Sequence, residues 1–514
     1  LPRVYGMASQ LVLLTDGYVD KDNINAFIES FQKNTPLTIG ELWSFPLILR
    51  LSLIESIEHL ADLIIQRLKD SQQADFWGDR LLNATRKAPD KLYFFMNLLT
   101  ESHPQPSTYF ASQLVDHLYD DEGALLLVKN WFEKKIGYDL SNILQTEQND
   151  QTVEQTSTAN CITCLHRLKQ LDWREVFEKL NVVNNILGED FANVYAKMDF
   201  STKDLYRHHV EKLSKVSSYS EFEIARQAVL LSQQGTTPLT QHVGYYIIDR
   251  GIKLLKNAID QKQTYISIFK NFLEKYTQFF YIGSIATLSI VINLVLIYFI
   301  AGLNYTNWQF WLFFLVAIIP SSEIALQTIH YILSHSLKPV ILPKMNYEKE
   351  IPTDCQTLVV IPVLLSTYET IKRDVLNLEI RYLSNPLPNI YYSLFADDPD
   401  SSKKHTTEDT EKLNYASSLI EELNSKYGNV FYLFYRERKW NSGQNCWMAW
   451  ERKRGKLEEL NKILLSNDEE NFKKYIQVGE IKNLFRIKYV LTLDSDTQLP
   501  LGKARNLIET ISHP

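Results

Sequence analysis

Ile487-Lys488-Tyr489-Val490-Leu491-Thr492-Leu493-Asp494-Ser495-Asp496-Thr497 decides how this chain is read. An apolar run of strand length, rich in β-branched and aromatic residues, leads directly into two carboxylates one residue apart. If the run is a buried strand, Asp494 and Asp496 stand at its carboxyl end, where open α/β sheets bind their ligands. Two carboxylates there offer hard oxygen ligands to Mg²⁺ or Mn²⁺, with diphosphate oxygens completing the shell. Such a cation neutralises charge on a nucleotide diphosphate leaving group. The competing reading is a surface turn, which often carries two such acids.

Working upstream, three more runs have the same texture. Thr357-Leu358-Val359-Val360-Ile361-Pro362-Val363 reads as a buried strand, followed by a helix from Glu369 to Leu383. Ile390-Tyr391-Tyr392-Ser393-Leu394-Phe395 is a second strand and ends at Ala396-Asp397-Asp398. Asn429-Val430-Phe431-Tyr432-Leu433-Phe434-Tyr435 is a third. Strands alternating with helices predict a mostly parallel sheet over residues 345–514. The strand ends then supply candidates. Asp397 and Asp398 are either acceptors for a nucleoside or solvated turn acids, since Asp398-Pro399-Asp400 is good turn chemistry. Arg436, Arg438 and Lys439, with Arg452, Lys453, Arg454 and Lys456, either hold a diphosphate or form a solvated face with Glu451, Glu458 and Glu459. Trp440, Trp447 and Trp450, read as lying in a loop, either stack on a sugar or base or pack into the core.

Ahead of this region, no residue from Tyr276 to Ser322 is charged. Phe279–Leu303 and Trp308–Leu333 are each long enough to cross about 30 Å of hydrocarbon. Together they predict a transmembrane hairpin over 276–335 with a tight turn at Asn304-Tyr305-Thr306-Asn307. Tyr305, Trp308 and Trp311 suit the membrane interface. Lys270, Lys275, Lys338 and Lys344 put both flanks on the cytosolic side. Pro320 and Glu323 interrupt the second span. Glu323 is either paired within the cytosolic half or part of a translocation path.

Residues 1–270 read as a cytosolic all-α domain. Leu49, Leu53, Ile57, Leu60 and Ile64 repeat at helical spacing within a helix from Leu42 to Leu68, with Pro46 in its first turn. Arg50, Glu55, Glu58, Asp62 and Arg67 make that helix a core element and not a membrane span. Asp172-Trp173-Arg174-Glu175 and Ser201-Thr202-Lys203-Asp204 mark helix starts. The Gln- and Thr-rich residues 145–158 are expected to form a loop. Leu1-Pro2-Arg3 and Ser512-His513-Pro514 read as cuts in a longer polypeptide.

Bulk properties narrow the function classes. The 514 residues carry a net charge of −7 and no long basic run, which argues against nucleic acid as a partner. The chain is 45% hydrophobic and 22% charged, which excludes wholesale disorder. Four Cys make no disulfide scaffold and suit a reducing cytosol. Cys161 and Cys164 form a lone CxxC with only His166 nearby, better read as small residues on a helix face than as a zinc site.

The block Trp447-Met448-Ala449-Trp450-Glu451-Arg452-Lys453-Arg454-Gly455-Lys456-Leu457-Glu458-Glu459-Leu460-Asn461 resembles the cyclic β-1,2-glucan synthases. So do Trp440-Asn441-Ser442-Gly443 and Leu493-Asp494-Ser495-Asp496-Thr497-Gln498-Leu499-Pro500. The helical half is similar as well, at Thr38-Ile39-Gly40-Glu41-Leu42-Trp43, Leu171-Asp172-Trp173-Arg174-Glu175, Val194-Tyr195-Ala196-Lys197-Met198-Asp199-Phe200 and His242-Val243-Gly244-Tyr245-Tyr246-Ile247-Ile248-Asp249-Arg250-Gly251. The chain departs from that pattern at Gln444-Asn445-Cys446 and around Leu394-Phe395-Ala396-Asp397.

The resemblance implies a bacterial inner-membrane, multi-pass, inverting glucosyltransferase with a metal-dependent α/β domain of GT-A (Rossmann-like) type. It implies UDP-glucose as donor and a growing glucan, attached to the protein itself, as product. By position, Asp494 and Asp496 would hold the metal, Asp397 would contact the uridine and Lys456 would lie near the diphosphate. The base that deprotonates the acceptor is expected beyond Pro514, so this portion alone is expected to be inactive. The competing functions are another membrane polysaccharide synthase, such as a cellulose-like one, and a non-catalytic membrane scaffold.

Overall fold

The structure is a computed structural model that describes residues 2–136, 140–260, 272, 275–300, 306–337, 339–466 and 468–514. Lys270, Lys338, residues 301–303 of the first expected span, and Asn304 and Tyr305 of its turn lie outside the described residues. The chain divides into two compact units, Leu1–Leu187 with Ser220–Ala225 and Gly188–Tyr219 with Arg226–Pro514.

The first unit is built on one helix, Ile39–Lys87. Thr38 caps it: the Glu41 N–H donates to Thr38 Oγ1 and the Thr38 N–H donates to Glu41 Oε2, at 3.3 and 2.9 Å. This start lies three residues upstream of Leu42, so Pro46 sits inside the helix and not in its first turn. Its missing N–H deprives the Leu42 carbonyl of a helical donor. Leu42, Phe45, Leu49 and Leu53 line the buried face early in the helix, and Ala74, Trp77 and Leu81 line it later. The later set joins Phe110, Leu114, Val128 and Phe132 in one core.

The expected loop at 145–158 is instead the middle of a helix, Leu140–Gln170. These residues include no Gly or Pro, and Gln and Glu are good helix formers. The threonines satisfy their hydroxyls on the helix's own carbonyls, Thr152 on Gln148 at 2.8 Å and Thr158 on Glu154 at 2.7 Å. Arg67 pins this helix to Ile39–Lys87 by ion pairs to Glu147 and Glu154, both at 2.8 Å. Cys161 and Cys164 are buried on it as free thiols. Burial pushes both thiol pKa values up.

The second unit opens with helices of its own. Asp172 of the first unit caps Trp173–Leu180 as its motif predicts. By contrast, Phe200–Ser214 is capped by Asp199, which accepts from the Thr202 N–H at 3.0 Å, two residues before the expected Ser201. Two apolar helices follow, Thr277–Ile300 and Asn307–Ser336. Both are long and apolar enough to cross a membrane, and only 11% of each candidate span is buried within the chain. Asn293 ties them together by donating to the Phe314 carbonyl at 3.1 Å, and Tyr281 meets His330 at 2.6 Å. Glu323 accepts from Gln327 one turn along its own helix at 3.0 Å.

The strands then assemble a five-stranded sheet in the order Ile476–Val478, Phe431–Arg436, Ile390–Asp397, Thr357–Leu364, Tyr489–Thr492. β1 (Thr357–Leu364), β2 (Ile390–Asp397), β3 (Phe431–Arg436) and β7 (Tyr489–Thr492) run parallel. The short β6 (Ile476–Val478) pairs antiparallel with β3 at one edge and was not anticipated, being too brief to show a period. Helices Tyr368–Ser384 and Thr407–Tyr427 cross between the first three strands, and Arg452–Ser466 and Lys503–Ile511 follow. Leu358, Val360, Phe395, Tyr432 and Phe434 pack with Leu460 and Ile463 of Arg452–Ser466. The region expected to be a tryptophan-bearing loop contains a hairpin of β4 (Lys439–Asn441) and β5 (Cys446–Met448).

Candidate functional site

Sheet register creates the centre of the site. Asp397 at the end of β2 stands opposite Arg436 at the end of β3. Both are buried, and the guanidinium meets the carboxylate with two hydrogen bonds, Nε to Oδ1 at 3.0 Å and Nη2 to Oδ2 at 3.1 Å. Lys456, one turn into the Arg452–Ser466 helix, places its ammonium 3.1 Å from Asp397 Oδ2. It also donates to the carbonyls of Val363 at 2.6 Å and Phe395 at 3.1 Å. An ammonium has three N–H bonds, so all of Lys456's donors are engaged within the protein. Burial lowers the Lys456 pKa, opposed by Asp397.

This arrangement needs Gly455. A Cβ there would fall 2.2 Å from the Trp450 carbonyl oxygen and 2.8 Å from Arg436 Nη1. Only glycine lets the helix start so close to the strand end.

Asp398 points elsewhere. Its Oδ2 accepts from the Tyr435 hydroxyl, while its buried Oδ1 has no hydrogen-bond partner among the described residues. Burial raises the carboxyl pKa and, with Asp398 beside it, raises that of Tyr435. The loop that follows is fixed by Arg438, which pairs with Asp409 at 2.7 and 2.9 Å and reaches the carbonyls of Lys403 and Lys404 at 3.5 and 3.4 Å. Arg452 pairs with Asp400 at 2.9 Å.

Asp494 and Asp496 lie beyond β7, both exposed. Their main chain is held from below by Arg381, buried on the Tyr368–Ser384 helix. Its guanidinium donates to the carbonyls of Asp494 at 3.3 Å, Ser495 at 2.8 Å and Thr497 at 2.7 Å. Asn385, one turn further, donates to the Leu499 and Pro500 carbonyls, both at 3.3 Å. The carboxylates are thus presented outward on a braced loop, and Lys453 sets its ammonium on Asp494.

Two exposed carboxylates suit a hard divalent cation shared with a phosphate ligand. Among the described residues, no cluster of three or more His, Cys, Asp or Glu could enclose a metal by itself. A cation seated there would take its remaining oxygens from ligand and water.

Asp397, Arg436 and Lys456 therefore meet at one buried point, with Asp398 beside them and turned to Tyr435. Asp494 and Asp496 stand exposed on the next loop. The sequence did not single out Arg381, Tyr435 or the contact between Lys453 and Asp494. Lys453 was visible within the basic segment, but the order in which a helix buries its lysines depends on packing that the segment does not display.

No family model matches the chain. It is similar along its whole length to the curated cyclic beta-(1,2)-glucan synthase NdvB of Rhizobium meliloti (strain 1021), at 29% identity over 529 aligned residues. The chain spans 18% of that relative's length. The expected resemblance to a cyclic β-1,2-glucan synthase is borne out over the full chain.

Proposed function

We propose that the chain carries the donor-binding portion of a membrane-bound glucosyltransferase that draws on UDP-glucose to build a β-1,2-glucan. The observation that carries this reading is the braced, outward-facing pair Asp494 and Asp496, with Lys453 on the first of them. The similarity to a glucan synthase supports a role in glucan synthesis, and the parallel strands with acids at their carboxyl ends are consistent with a GT-A type sheet.

In this reading Asp494 and Asp496 hold Mg²⁺ or Mn²⁺, which when bound offsets charge on the departing diphosphate. Lys453, exposed and paired with Asp494, is the lysine placed to follow that diphosphate, since Lys456 is buried and committed to Asp397 and two carbonyls. Asp398 Oδ1 is the better acceptor for an N–H of the uracil, because both oxygens of Asp397 are already taken. Asp397, Arg436 and Lys456 set the shape of the floor beneath it. Attack by the acceptor hydroxyl on the far face of the sugar inverts the anomeric carbon. Helices Thr277–Ile300 and Asn307–Ser336 anchor the protein in the bacterial inner membrane, with Lys275 and Lys344 on the cytosolic side.

The test is calorimetric titration of UDP-glucose into the chain in detergent, with and without Mn²⁺ or Mg²⁺. Metal-dependent binding that disappears in Asp494→Ala supports the reading. Binding indifferent to both metal and Asp494→Ala overturns it and favours a scaffold.

A further inference from the structure

The β4–β5 hairpin shows aromatic surface that the donor site does not use. Trp440 on β4 is 50% exposed and Trp450, two residues beyond β5, is 49% exposed, although rings of this size are normally covered. Trp447 stands opposite Trp440 across the hairpin, with ring centroids 5.7 Å apart and planes at 62°, so the two rings are in contact. The hairpin is small, and a two-stranded ribbon alone is marginal in water. It is steadied by a pair of main-chain hydrogen bonds between Ser401 and Trp447, at 2.9 and 2.8 Å. Ser401 lies three residues after Asp398, so the ribbon is fixed to the loop leaving the site.

Its chemistry is selective. Residues 440–450 contain no Asp, Glu, Lys, Arg or His, whereas residues 451–454 are all charged. Ser442, Gln444 and Asn445 at the tip are exposed. Flat rings beside amide and hydroxyl groups suit a neutral ligand with an apolar face and a rim of hydroxyls, which describes a pyranose. An anionic diphosphate would find no partner there. Basic residues flank the stretch at Lys439, which is paired with Glu459 at 2.9 Å, and at Arg452, which is paired with Asp400.

The two surfaces are joined by a tight bend. Glu451 and Arg452 both have positive φ, 46° and 36°, in a region that bulky side chains rarely occupy. The bend turns the chain from Trp450 into the helix bearing Lys453, and with two residues between them their Cα atoms are at most about 11 Å apart. Trp450 therefore lies within a few sugar lengths of Asp494, which Lys453 contacts.

We propose that Trp440 and Trp450 form a platform for the growing glucan, stacking on successive glucose rings beside the donor site. This rests on the glucosyltransferase reading and adds to it the place where the acceptor chain lies. Two observations support it independently: the exposed, uncharged aromatic surface, and the strained bend that ties that surface to the Asp494 side of the site.

The experiment titrates a short β-linked gluco-oligosaccharide into the chain in detergent, and UDP with Mn²⁺ in parallel, for the unaltered protein and for Trp440→Ala, Trp450→Ala and Trp440→Phe. Oligosaccharide binding is expected to weaken about tenfold in each alanine variant and to survive largely in Trp440→Phe, with UDP binding and melting temperature unchanged. Absence of oligosaccharide binding by the unaltered chain, or equal binding by all variants, overturns the platform. Loss of UDP binding in the alanine variants assigns the rings to the nucleotide and also overturns it. Quenching of tryptophan by brominated lipid in nanodiscs that falls in Trp440→Phe places the ring in the bilayer, with the same consequence. Failure of the unaltered chain to bind UDP would sink the donor-site reading alone, so the two failures are distinguishable.

Discussion

Arg381 donates its guanidinium to the main-chain carbonyl of Ser495 at 2.8 Å, and so the helix between β1 and β2 holds in place the loop that follows β7. The same group serves Asp494 and Thr497, which a planar fork with five N–H bonds can do and a single ammonium cannot. Burial lowers the Arg381 pKa, with nearby Asp374 and Asp496 opposing the shift. Arg381→Lys is therefore expected to preserve charge and lose geometry. Stability should fall by about 2 kcal/mol, and metal-dependent UDP binding should weaken about tenfold. Calorimetry beside thermal melting checks both. Unchanged affinity in a folded Arg381→Lys protein would mean that the loop needs no brace.

In the proposed donor site, Lys453 and a divalent cation would compete for the same Asp494 carboxylate. The Lys453 pair is exposed on both sides, at 50% and 57%, so its own contribution is small. Lys453→Gln should let Mn²⁺ alone bind up to about fivefold more tightly, because the carboxylate is no longer shared. UDP with Mn²⁺ should bind more weakly, because a cation that follows the diphosphate is gone. Opposite signs for the two titrations are the signature. If both strengthen, Lys453 is only a surface partner of Asp494.

Lys456 lies one helical turn from Lys453 and behaves in the opposite way. Lys456→Met leaves Arg436 to neutralise Asp397 but strips a donor from the Val363 and Phe395 carbonyls. A loss of about 3 kcal/mol is expected, visible as a fall of about 10 °C in melting temperature. Lys453→Gln should melt as the unaltered protein does. Equal melting temperatures for the two variants would contradict the depth that the structure gives each lysine.

This contrast shows where the sequence stopped being legible. The strands from Thr357 and Ile390 could be read because each is a continuous apolar run of strand length, as a strand buried on both faces must be, and the acids at their ends followed from that. Depth on a helix is different. Lys453 and Lys456 belong to one basic run, and only the close approach at Gly455 decides that Lys456 goes inward. The Trp hairpin escaped because its strands have three residues each and its signal was confined to Ser442-Gly443 and Asn445. Residues 145–158 misled because polarity was taken for a loop, when the absence of Gly and Pro was the stronger sign. Arg381 was out of reach altogether. Its partners lie more than a hundred residues away, and nothing local marks a cation that binds only carbonyls.

A last prediction concerns a buried chain of polar groups elsewhere in the second unit. Asp190 Oδ2 meets His242 Nδ1 at 2.8 Å, His242 Nε2 meets the Tyr206 hydroxyl at 3.1 Å, and the same hydroxyl meets His513 Nε2 at 3.1 Å. Asp190 also accepts from the N–H groups of Val194, Tyr195 and Val243, so it is well suited to stay ionised and to take the His242 Nδ1 proton. Tyr206 then donates to His242 and accepts from His513. Burial lowers the His513 pKa to about 4, with His242 beside it adding to the effect. A histidine depressed in the folded state binds fewer protons there than when unfolded. Its contribution to stability is therefore complete above the unfolded value of about 6.5 and is lost as pH falls from there towards 4. Between pH 7 and pH 5 this group alone should cost about 2 kcal/mol. His513→Gln keeps an N–H for Tyr206 and cannot be protonated, so its stability should drop less over the same interval by about that amount. Denaturant unfolding of both proteins at the two pH values measures the difference directly, and parallel losses would show that His513 titrates in the folded protein as it does in the unfolded chain.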